Sequence, residues 1–92
     1  DVKRACHCAS RMTASVEKEA EFLIRLADMK QYTLSYMAED CRMSDSGYEY
    51  LKRECEGDRP ALRGVERIKE FRERVAVLIL KEAYNRKMKE DE

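Results

Sequence analysis

The chain has one proline and three glycines in 92 residues, a single histidine and no tryptophan. Each shortage excludes something. Outside Gly47, Gly57, Pro60 and Gly64, little stands in the way of a helix once it has started. The glycines are scattered, so no phosphate-cradling loop can be read. His7 has no glycine-rich or nucleophile-elbow motif beside it, and acidic residues are too common to assign a triad. The chain is therefore not expected to be an enzyme, and no cofactor is implied. An excess of one charge is missing too: 19 basic and 19 acidic residues cancel. That removes any global pull toward nucleic acid or anionic lipid. The longest apolar run, Val75 to Leu80, is six residues. A membrane-spanning helix needs about 20, so no span is expected.

What is present is a mixture of 43% hydrophobic and 41% charged residues. Such a balance, rich in Ala, Glu, Lys, Leu and Arg, is that of long helices. A chain of this length buries only about 60–65% of its unfolded surface. Part of its stability is then expected to come from a partner or a second copy.

The periodicity predicts an all-α protein, a small antiparallel bundle of two long helices and one short one. Residues 1–12 read as an irregular N-terminal arm, and 13–92 as a single bundle domain. Thr13 or Ser15 supplies an N-cap, with Glu17 and Glu19 near the positive end of the dipole. The first helix is expected over about 15–41. Val16, Ala20, Leu23, Ala27, Leu34, Met37 and Cys41 form its main stripe, and Phe22, Leu26, Met29 and Tyr36 a second beside it. Thr33-Leu34-Ser35 is its weakest stretch, where a kink would fall. A short helix is expected over about 46–56, closed by Gly57 at C′. The last is expected over about 60–88, with Pro60 in its first turn. Gly64 weakens that start, unless a second helix passes close there.

Cys6, Cys8, Cys41 and Cys55 carry the only obvious chemistry. Four cysteines allow three complete pairings. Cys6–Cys8 would close a strained ring. If the first helix is unbroken, the remaining pairs are too far apart to bridge. The unbroken bundle thus predicts Cys41 and Cys55 as buried, inert thiols on apolar stripes. Bridges would instead require a second chain, or a break near Thr33 that folds the chain back. Cys6, His7 and Cys8 are candidate zinc or redox ligands, with Lys3 and Arg4 lowering the thiol pKa values. Their spacing is tighter than the usual two to four intervening residues, so metal binding is the weaker expectation. Arg59, Arg63, Arg67 and Arg74 lie at helical spacing, but Glu66, Glu70 and Glu73 interleave, and Glu70 and Arg74 make an i,i+4 pair. Nucleic-acid binding is disfavoured on that ground.

The expected function is interaction: a non-enzymatic subunit that presents a broad apolar face to a protein partner or to its own copy. Phe22, Leu26, Met29, Tyr36, Val77 and Leu80 are the expected interface residues. The rival is a small secreted helical ligand, effector or toxin-like protein held by disulfides. The even cysteine count and the opening Asp1 suit it. A Cys/His metal or redox module is a third reading. The residues do not name a compartment, though an intracellular setting is slightly favoured.

Overall fold

The computed structural model describes residues 1–91. Among them there are five α-helices and no strand: α1 Val2–Ala9, α2 Val16–Lys30, α3 Leu34–Cys41, α4 Asp45–Glu54 and α5 Arg59–Glu90. The all-α expectation is met. The arrangement of two long helices and one short is not, because only α5, at 32 residues, is long. It extends about 48 Å, close to the 54 Å long axis of the molecule.

Two expectations need correction. Residues 1–12 are not an irregular arm. Asp1 accepts a hydrogen bond from the Arg4 N–H at 3.2 Å and so caps α1, and Cys6 and Ala9 bury one side of that helix. The unbroken helix over 15–41 is also absent. Gln31 takes a left-handed conformation, φ 60°, and stops α2. The Thr33 hydroxyl then accepts from the Tyr36 N–H at 3.1 Å and starts α3. The weak stretch at Thr33 is thus a full stop and restart rather than a kink.

The remaining signals act as the sequence implies. Ser15 caps α2, with Glu17 and Glu19 in its first turn. Ser44 caps α4 through the Gly47 N–H at 3.0 Å. Gly57 has φ +82°, a conformation that side chains disfavour. Pro60 sits in the first turn of α5, where a missing N–H removes no helical bond.

Contacts along α5 show how the others lie on it. Met12 meets Arg67 and Asp28 meets Arg86, so the chain climbs alongside α5 through α1 and α2. Arg42 meets Glu73 and Tyr48 meets Glu66, so it descends through α3 and α4. Two apolar cores result. The larger gathers Ala20, Ala27, Leu34, Met37, Ala38, Val75, Ala76 and Ile79. The smaller gathers Cys6, Cys55, Ala61 and Val65 where α1, α4 and the start of α5 meet.

Candidate functional site

The smaller core brings chemistry-bearing residues together. Its foundation is the Gly64 backbone in α5. A Cβ built on Gly64 would lie 1.7 Å from the Cys6 carbonyl oxygen. Only glycine admits α1 at that distance, and this resolves the glycine that the sequence left open. The crossing seats Cys6 against Cys55. Cys6 is 2% exposed and Cys55 is fully buried, and both belong to the same small core. Burial, reinforced by the hydrogen bond and charge of Cys55, pushes the Cys6 thiol up from its ordinary 9.0 to about 11.

Polar contacts fasten the rim. The Asp58 side chain accepts from the Ala61 N–H at 3.2 Å, which caps α5. Its second oxygen lies 2.9 Å from His7 Nε2. One carboxylate thereby starts α5 and holds α1. Partial burial works to raise its pKa, but the Ala61 N–H and the His7 ring outweigh it and hold the carboxyl below its ordinary 3.8. Beyond the C-terminus of α1, the Arg67 guanidinium donates to the Ser10 and Met12 carbonyls at 3.3 and 2.5 Å. On α4, Tyr48 donates to Glu66, and the Lys69 ammonium stands 4.1 Å over its ring.

The structure separates the other cysteines from this pair. Cys8 is exposed and Cys41 half-buried. Cys41 packs against the larger core, with its thiol 3.7 Å from the Arg72 carbonyl. Burial raises its pKa as well. The expectation that distance keeps Cys55 from the N-terminal cysteines is overturned. It assumed an unbroken helix over 15–41, and the reversal at Gln31 removes that length. Cys6, His7 and Cys8 do not converge: Cys6 is buried, Cys8 is exposed and His7 turns to Asp58. Among the described residues, no three His, Cys, Asp or Glu side chains are grouped to hold a metal ion.

The expected interface residues lie mostly on the surface. Phe22, Met29, Tyr36, Val77 and Leu80 are exposed, Met29 most of all at 76%. Leu26 is instead half-buried against the larger core. The expected set omitted Tyr84 and Met88, which are also exposed. Their spacing of seven and eleven residues from Val77 was the available signal. A second concave feature, an open cleft of about 680 Å³, runs beside α5. Leu23, Cys41 and Phe71 meet Glu19, Arg67 and Arg72 along it. It mixes both charge signs with apolar walls.

No family model, curated protein or solved structure matches this chain significantly. Any functional reading therefore rests on its own residues. No helix among the described residues is long and apolar enough to cross a membrane.

Proposed function

We propose that the protein is a non-enzymatic interaction or assembly subunit. Its outer α5 face would seat an apolar helix from a second copy or from a different chain. The observation that supports this is a stripe. Val77, Leu80, Tyr84 and Met88 recur at spacings of three and four residues, and all are exposed, Val77 at 60% and Tyr84 at 63%. Val75, Ala76 and Ile79 on the same helix are buried in the larger core. At about 100° per residue, the exposed stripe lies on the side of α5 away from Val75 and Ile79. Helix-in-groove recognition uses anchors at this spacing, and contiguous exposed apolar surface marks such sites.

Sedimentation over a wide concentration range tests the proposal, with Val77→Glu/Tyr84→Glu as the disrupting variant. Association that the double substitution abolishes, with unchanged helicity, is the expected result. A strictly monomeric chain at high concentration, together with no partner in pull-down, overturns it.

One observation favours a second reading, the secreted and disulfide-held helical protein: Cys6 and Cys55 are buried together in one small core. Non-reducing mass on natively produced protein separates the two readings. An intact bridge on isolation supports the second, and four free thiols support the first.

A further inference from the structure

We propose that Cys6 and Cys55 are a disulfide-forming pair, and that their bond fastens α1 covalently to the corner between α4 and α5. The inference is independent of the interaction surface on α5. It rests on placement. Three helices, α2, α3 and α4, separate the residues in sequence, yet both are buried inside one small core. Around them stand Ala61 and Val65, and the Gly64 backbone meets the Cys6 carbonyl. Two buried thiols in a core of four buried residues are placed to meet. A bond of about 2.05 Å would join them. Neither of the other cysteines competes, since Cys8 is on the surface and Cys41 belongs to the other core.

The oxidant is a low-molecular-weight disulfide, RSSR. One protein thiol gives up its proton and attacks RSSR, forming a mixed disulfide and releasing RS⁻. The second thiol, also deprotonated, attacks the protein sulfur of that mixed disulfide and releases another RS⁻. The two released protons convert both thiolates to RSH. The protein loses two hydrogen atoms and two electrons, which RSSR gains. Both sulfurs are buried and Cys6 resists ionisation, so the first attack requires α1 to lift. The docking of α1 thus sets the rate, and the bond then makes that docking permanent. The closed loop of about 50 residues removes much of the freedom of the unfolded chain.

The test uses the full-length chain and oxidised glutathione. After incubation the protein is denatured, alkylated and weighed. Two lost hydrogens with two alkylated cysteines, Cys8 and Cys41, are expected. The melting temperature should rise by about 10 °C or more and fall back with dithiothreitol. No trypsin site separates Cys6 from Cys8. The assignment is therefore completed in Cys8→Ser/Cys41→Ser, where only the proposed pair remains and the same bridge should form. Four alkylated cysteines, glutathione retained on Cys8 alone, a bridge that disappears in the double variant, or dimers linked through Cys8 would each overturn the proposal.

Discussion

The two cores of this molecule are held together by different means. The larger uses aliphatic side chains from α2, α3 and α5 that fill space, with Ile79 and Val75 fully buried between small alanines. The smaller has little volume to bury. It brings α1 against α5 through a missing side chain at Gly64, two thiols, and a carboxylate that serves two helices at once. Burial in the first is non-directional and tolerates repacking. The second depends on a backbone approach and on protonation states, which have no neighbouring substitutes. The difference teaches where a small helical chain can be stable and where it can be switched.

The comparison is broken most severely from the larger side. Ile79→Ala deletes a fully buried side chain at the centre of the main core. A loss of about 3–4 kcal/mol is expected, combining lost transfer energy with the cavity left behind. Urea unfolding read by circular dichroism should show it as a global shift of the midpoint.

Gly64→Ala attacks the other side. Alanine improves helix propensity by about 1 kcal/mol. That gain is outweighed by a methyl group placed on the Cys6 carbonyl, which is backbone and cannot rotate away. A net loss of about 2 kcal/mol is expected, concentrated in α1. Hydrogen exchange should accelerate at the α1 amides while those of α2 and α3 stay protected. Uniform acceleration through the whole chain would show that the two cores unfold as one.

A milder probe is pH, and the signs follow from Cys6 in the smaller core and Asp58 on its rim. Cys6 has its folded pKa raised from 9.0 to about 11. The unfolded chain therefore loses this proton first, and stability present below pH 9 declines as pH rises toward 11. Asp58 has its folded pKa lowered below 3.8. Its contribution is present above that value and is lost as pH falls through the folded pKa. The smaller core should be firmest between these limits. Exchange at α1 should quicken at both ends, and Cys6→Ala should shrink the alkaline limb while leaving the acid limb unchanged; what remains of the alkaline limb belongs to Tyr48, whose pKa its bond to Glu66 raises. Val75 and Ile79 carry no ionisable group, but Cys41 packs beside them with its pKa also raised by burial, so the larger core should weaken on the alkaline side too.

Much of this architecture was legible because its signals are local. Ser15 and Ser44 caps, Gly57 at positive φ and Pro60 in the first turn all act within a few residues of themselves. Two features were not. Docking of α1 depends on a glycine more than fifty positions away, which no pattern within residues 1–12 can reveal. The stop after α2 falls on Gln31, which is neither glycine nor asparagine and so carries no visible mark of a left-handed turn. Missing that stop placed the cysteines too far apart and hid the thiol pair. Most of the interface candidates were legible because exposed and buried stripes on one helix differ only in phase, which periodicity records.

Gln31 also supplies the gentlest test, because its conformation is a strain that the sequence need not carry. A side chain in the left-handed region crowds the neighbouring carbonyl, at about 1 kcal/mol, and glycine does not. Gln31 closes α2 through its own N–H to Asp28 and is followed by the Tyr32 N–H to Ala27 at 2.9 Å. Neither bond uses the glutamine side chain. Gln31→Gly should therefore keep the turn and raise stability by about 0.5–1 kcal/mol, read as a small upward shift in the urea midpoint. Because Gln31 lies outside the smaller core, the same variant should leave the alkaline limb at α1 unchanged. A loss of stability instead would mean that Gln31 is not left-handed, and that α2 continues toward α3 as one helix.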